Sequence, residues 1–150
     1  MLKVGDPAPE ITVHTDTGAD FRLSELKGKR VVLYFYPKAD TPGCTTEACE
    51  FRDDMKAIDK KGAVVVGVSP DKPAAQAKFK AKYDLPFTLL ADEEKAAAEA
   101  YGVWKEKNMY GRKVMGIERT TFVIGPDGKI EKIYGKVKAK GHAAAVLAEL

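Results

Sequence analysis

The stretch from Lys29 to Pro70, KRVVLYFYPKADTPGCTTEACEFRDDMKAIDKKGAVVVGVSP, decides the fold. Its first part is a run of β-branched and aromatic residues closed by Pro37, which reads as a strand buried on both faces. Its last part, from Gly62 to Pro70, reads the same way. Between them a helix is predicted from Thr41 to Gly62. Thr41 suits the N-cap, Pro42 the first helical position and Gly62 the stop. Strand, helix and strand in that order form a parallel βαβ unit, whose sheet needs helices on its faces.

Working outward, KPAAQAKFKAKYDL is a helix opened by Pro73, FTLLAD a short strand and EEKAAAEAYGV a further helix. ERTTFVIGPDGKIEKIYGKV holds two β-rich runs joined at Gly125-Pro126-Asp127-Gly128, a hairpin signal. The tail KGHAAAVLAEL is an amphipathic helix. The N-terminal EITVHTDTGADFRLSEL reads as a hairpin across Thr17-Gly18 and a turn of helix. The expected fold is α/β: a mixed central sheet flanked by helices, with an N-terminal hairpin. Its 150 residues, 1–150, suit a single domain with a real core. Trp104, Phe79 and Tyr83 read as packing residues, His14 and His142 as surface residues, and Asp71 as a capping group.

Composition excludes several functions. A hydrophobic fraction of 45% and a charged fraction of 31% are ordinary for a globular protein, so disorder is not indicated. No apolar run approaches the ~20 residues that cross a bilayer. The N-terminus MLKVGDPAPEI is too polar for a signal-peptide core, so a cytoplasmic protein is expected. A net charge of +3 without a basic block argues against nucleic-acid binding.

The chain has two cysteines, Cys44 and Cys49, both in the quoted stretch. In a cytosolic protein such a pair points to redox chemistry or a metal rather than a staple. Zinc wants four ligands, and His14 and His142 lie near opposite ends of the chain, so no metal site is expected. Cys44 falls in the first helical turn, where free N–H groups and the dipole favour a thiolate. Lowering a thiol from about 8.5 to about 6 takes roughly 3.4 kcal/mol, whereas a helix end supplies at most about 2. A cation must help, and Lys38, Arg52, Arg112 and Arg119 are all candidates.

Spacing adds a second constraint. Five residues along an ideal helix separate two Cα atoms by ~8.6 Å, and a disulfide wants less than ~7 Å. The bond closes only if the first turns unwind, which suits a pair that reacts during a cycle. A thiolate that attacks peroxide becomes a sulfenic acid, and a neighbouring thiol condenses with it. An external dithiol then resets the pair. No metal, haem, flavin or nucleotide is required.

YFYPKADTPGCTTEACEFRD resembles the active-site signature of the peroxiredoxins of the bacterioferritin comigratory protein, or peroxiredoxin Q, group. VGDPAPEI, VVVGVSPD, KYDLPFTLLAD, YGVW, MYGRKVMGIERTTFVIGPDGKI and KVKAKGHA extend the likeness over the chain. The resemblance implies a thioredoxin-like fold and a thiol-dependent peroxidase acting on hydrogen peroxide and organic hydroperoxides. It implies Cys44 as the peroxidatic and Cys49 as the resolving cysteine, joined in an intramolecular disulfide. Thr41 would hydrogen-bond the peroxide, Pro37 would shield the pocket and Arg119 would supply the cation. It further implies thioredoxin or a similar dithiol as reductant and a monomer. Two other functions use the same cysteines. One is a general thiol-disulfide oxidoreductase, weakened by the absence of a CxxC motif. The other is a redox sensor without turnover.

Overall fold

A computed structural model of the chain describes residues 1–150, except the side chain of Met109. The quoted stretch folds as strand β3 (Arg30–Phe35), helices α1 (Pro42–Asp53) and α2 (Met55–Lys60), and strand β4 (Ala63–Ser69). Before it come β1 (Thr12–Thr15), β2 (Asp20–Arg22) and a 3-10 turn at Leu23–Leu26. After it come α3 (Pro73–Tyr83), β5 (Thr88–Ala91), α4 (Ala96–Ala100), β6 (Trp104–Met109) and β7 (Arg112–Ile117). The chain closes with β8 (Thr120–Ile124), β9 (Ile130–Tyr134) and α5 (His142–Ala148).

A seven-stranded sheet runs β2-β1-β5-β4-β3-β8-β9. Strand β3 pairs in parallel with β4 and antiparallel with β8, from Val31 opposite Ile124 to Phe35 opposite Thr120. This mixed sheet is thioredoxin-like, as the family resemblance implies. Alternation along β3 separates two cores. Val31, Leu33 and Phe35 pack with Phe122, Tyr101, Ala97 and Ala98 on the face beside α4. Val32, Tyr34 and Tyr36 pack with Cys44, Ala48, Phe51, Phe79 and Val146 beneath α1, α3 and α5. Cys44 therefore belongs to a core, at the C-terminal end of the central strand. No helix among the described residues is long and apolar enough to cross a membrane.

Several local expectations change. The single helix predicted from Thr41 to Gly62 breaks at Asp54, where φ is −94° and ψ 2°. Asp53 and Asp54 are weak helix formers, and Asp favours helix ends. The helix read in EEKAAAEAYGV shortens to α4, because the buried Asp92 carboxylate accepts the N–H groups of Ala97 and Ala98 and sets the start there. The hairpin of β6 and β7 was not legible, since its polar residues show no apolar alternation; Tyr110 and Gly111 make its turn at φ 55° and 78°. His142 is buried rather than on the surface: its Nε2 and the Thr121 hydroxyl lie 2.7 Å apart, and Phe51 and Tyr134 flank its ring. Burial and the charge of Arg119 push its pKa down to about 4. Phe79 is buried, whereas Tyr83 and Trp104 are only partly covered.

Candidate active site

The site forms where β3 ends. Past Phe35 the chain bends at the half-buried Pro37, passes through Asp40 at φ 60°, and enters α1 at Thr41. A polar network holds this loop. Asp71 Oδ2 accepts the Ala39 N–H at 2.7 Å and the Ser69 hydroxyl at 2.6 Å. Gln76 Nε2 donates to Ser69 Oγ, and the Tyr36 hydroxyl donates to Gln76 Oε1. Asp71 thus braces the loop instead of capping α3, whose N-cap is Lys72. Outside, the Asp40 carboxylate accepts Lys82 Nζ and the Tyr83 hydroxyl, each at 2.9 Å, and these bonds hold it below the usual carboxylate range.

Thr41 occupies the N-cap position in extended backbone, but its side chain makes no cap bond. Its hydroxyl donates to the Lys38 carbonyl at 2.8 Å. Cys44 lies in the first turn of α1 and is 1% exposed. From across the sheet, Arg119 reaches it from the residue before β8: Nη2 donates to Cys44 Sγ at 3.3 Å, and Nη1 to Glu47 Oε1 at 2.6 Å. Of the candidate cations, Arg119 is the one on the sulfur. Lys38 and Arg112 are exposed, while Arg52 Nη1 donates to the Tyr83 carbonyl.

Two further residues belong to this cluster and were missed from sequence. Glu47 is fully buried, one helical turn beyond Cys44. Burial pushes its pKa up to about 7, against the opposing pull of Arg119. Burial works against the Arg119 cation, but Glu47 and Cys44 outweigh it and hold its pKa up. Glu47 Oε2 and the Tyr34 hydroxyl are buried without a hydrogen-bond partner among the described residues. Gly43 is the second: a Cβ there would lie 3.2 Å from Arg119 Nη2. The absent side chain leaves the guanidinium room that a Cβ would narrow. An acid one helical turn after Cys44 was the readable signal for Glu47; Gly43 had none.

Both cysteines are free thiols, Cys44 buried and Cys49 partly exposed. Both sit in regular α1, so the helical separation of ~8.6 Å applies. Among the described residues no group of three or more His, Cys, Asp or Glu side chains is placed to hold a metal. A buried thiol at a helix start, with a guanidinium on its sulfur, is equipped to hold a thiolate and stabilise charge developing on an oxygen beside it.

Comparison with known proteins places the fold and the family. The AhpC/TSA family matches residues 4–133. Peroxiredoxin Bcp of Bacillus subtilis is 49% identical over 149 residues, covering 99% of this chain and 95% of that protein. The crystal structure of a cysteine-to-serine mutant of Xylella fastidiosa PrxQ superposes with a TM-score of 0.94 at 36% identity, covering 99% of this chain and 95% of that one. A Xanthomonas campestris bacterioferritin comigratory protein, described for its alkyl peroxide reduction activity, gives a TM-score of 0.89 at 42% identity over 93% and 88% of the two chains. Fold and site together define a thiol peroxidase. The chain belongs to the AhpC/TSA family, within its peroxiredoxins of the Bcp/PrxQ type.

Proposed function

We propose that this chain, acting as one domain over residues 1–150, reduces hydrogen peroxide and organic hydroperoxides through Cys44 and resolves through Cys49. The observation that carries the reading is the Arg119 guanidinium on the buried Cys44 sulfur at 3.3 Å. The Cys44 thiolate attacks one peroxide oxygen; the S–O bond forms as the O–O bond breaks. The displaced alkoxide or hydroxide takes a proton and leaves as alcohol or water. Arg119 holds the peroxide oxygens, Thr41 turns its hydroxyl to them, and Pro37 walls the pocket from solvent.

Cys49 then attacks the sulfenic acid, expelling water and leaving a Cys44–Cys49 disulfide. Thioredoxin or a similar dithiol reduces it by exchange and returns both thiols. The alkyl peroxide activity described for the Xanthomonas protein supports organic hydroperoxides as substrates. The proposed working form is a cytoplasmic monomer without a bound cofactor.

The test is rapid mixing of the reduced protein with peroxide, followed by a coupled turnover assay with several dithiols. Cys44→Ser should lose peroxide consumption, because a hydroxyl stays protonated and is a poor nucleophile near neutral pH. Near-wild-type turnover in that variant would end the assignment. Consumption of one equivalent with no turnover under any dithiol would favour a sensor instead.

A further inference from the structure

Tyr83 is the last residue of α3, and two separate parts of the reactive segment hold on to it. Its carbonyl belongs to the final turn of the helix, where carbonyls lack a partner within the helix, and Asp84 turns the chain away at φ 50°. Arg52 Nη1 donates to that carbonyl at 2.8 Å. A guanidinium is well suited there, because the dipole leaves a helix C-terminus negative. The hydroxyl of the same tyrosine donates to Asp40 Oδ1 at 2.9 Å, and Lys82 Nζ donates to Asp40 Oδ2 at 2.9 Å. The Tyr83 ring meets the buried Phe79 edge-on, with centroids 5.6 Å apart, so the anchor is itself fixed to the core.

Asp40 and Arg52 stand at the two ends of the segment 41–51, and both cysteines lie between them. One residue of α3 therefore ties both ends of the stretch that must unwind for the thiols to meet. The two ties differ in kind. Arg52 sits on a part-buried main-chain oxygen, and Glu50 adds a second tie at that end by accepting the Gly141 N–H at 2.8 Å. The Asp40 tie is exposed and made by side chains alone. It also holds backbone that few side chains favour, since Asp40 has φ 60°. Thr41 and the first turn of α1 follow it directly.

We propose that Tyr83 is a positioning residue for the thiol reaction. Its hydroxyl holds Asp40, and through it the start of α1, in the folded form that presents Cys44 to peroxide. Release of that bond lets the helix unwind from the Asp40 end toward the Arg52 end, which stays attached. The inference rests on Cys44 being the attacking thiol and Cys49 the resolving one. Once Cys44 is a sulfenic acid, the Cys49 sulfur attacks its sulfur; the S–S bond forms, the S–O bond breaks, and the hydroxide takes the Cys49 proton and leaves as water. In the folded form the helical separation of ~8.6 Å forbids that attack. Until the Asp40 tie lets go, the sulfenic acid stays open to a second peroxide. Tyr83 therefore sets how the oxidised site divides between disulfide and over-oxidation.

The experiment is rapid mixing of the reduced full chain with hydrogen peroxide, quenched at intervals with thiol-alkylating and sulfenic-acid-trapping reagents and read by mass. Tyr83→Phe deletes the hydroxyl but keeps the ring on Phe79 and the carbonyl under Arg52. Its ratio of disulfide-closure rate to peroxide-attack rate should rise about two- to tenfold, the effect of one net hydrogen bond. Its over-oxidised fraction should fall in step. In the reduced protein, amide exchange should quicken at Thr45 and Thr46 but not in β3 and β4, whereas general loosening would quicken all of them. Asp40→Gly accepts the positive φ but offers neither Tyr83 nor Lys82 an acceptor. It should raise the same ratio, and Tyr83→Phe should add nothing in that background. This second variant carries the test if Tyr83→Phe melts early. An unchanged ratio in either variant, a Tyr83→Phe effect undiminished in Asp40→Gly, or exchange quickened evenly through the central sheet would overturn the proposal. Failure of the wild type to form the Cys44–Cys49 disulfide would instead overturn the reading beneath it.

Discussion

Glu47→Gln isolates the energetics of the buried acid under Arg119. Glu47 is fully buried, and its pKa is pushed from an ordinary 4.5 up to about 7. In the sign of the linkage, the folded state holds a proton that the unfolded state has released at any pH between those two values. Stability of the protein with Glu47 therefore falls as pH rises through that window. The shift corresponds to about 3 kcal/mol, lost in full only above roughly pH 8. Glutamine has the same shape, offers Oε1 to Arg119 and does not titrate. Urea unfolding at pH 4.5, 6, 7 and 8 measures the effect by linear extrapolation. Cys44→Ser serves as the background, so that thiol oxidation does not intervene. The Gln protein should gain about 3 kcal/mol on its parent between the lowest and highest pH, whatever constant offset separates the two. A difference curve that is flat would mean that Glu47 titrates as an exposed acid. A curve of opposite slope would mean that the ionised pair with Arg119 outweighs burial. Either result refutes the reasoning.

Other expectations concern the reaction. Arg119→Ala should lower the second-order rate of peroxide oxidation by ~10²–10³, as loss of a preorganised donor does elsewhere; an unchanged rate returns the search to Lys38, Arg52 or Arg112. Gly43→Ala should slow oxidation by up to ~10-fold, because its Cβ would lie 3.2 Å from Arg119 Nη2 and push the guanidinium by a few tenths of an ångström, where a full 1 Å misplacement can cost ~10²-fold. Alanine is the better helix former, so an accompanying loss of stability would point to a different cause. Oxidation should join Cys44 to Cys49 and strip amide protection from the N-terminal turns of α1. It should spare the region beyond, where Glu50 accepts the Gly141 N–H and Arg52 holds the Tyr83 carbonyl. Cys49→Ser should consume one equivalent of peroxide and stall as a sulfenic acid open to over-oxidation. Equal exchange in both redox states, or a disulfide found only between two chains, would exclude local unwinding.

Much of the framework was readable because its signals are local. The strand ending at Pro37, the helix opening at Thr41-Pro42 and the hairpin around Gly128 each follow from a few neighbouring residues. These place Cys44 at a helix start behind a buried strand, and they place Cys49 too far along the same helix to bridge without unwinding. That much follows from the order of residues and the geometry of a helix.

The rest depended on partners distant along the chain. Arg119 is 75 positions from Cys44 and 72 from Glu47, so spacing left four cations open and only the family resemblance singled out Arg119, until the pairing of β3 with β8 brought it to the sulfur. His142 read as a surface residue because only the docking of α5 near Phe51 and Thr121 buries it. Asp71 read as a cap because its partner, the Ala39 N–H, lies 32 positions away. Gly43 looks like an ordinary glycine until Arg119 Nη2 is seen 3.2 Å from where its Cβ would be. Sequence alone determined which backbone segments form and where the thiols sit on them, because helix and strand periodicity act over a few residues. Only the tertiary structure decided which charges meet those thiols, because electrostatic partners are chosen by distance in space.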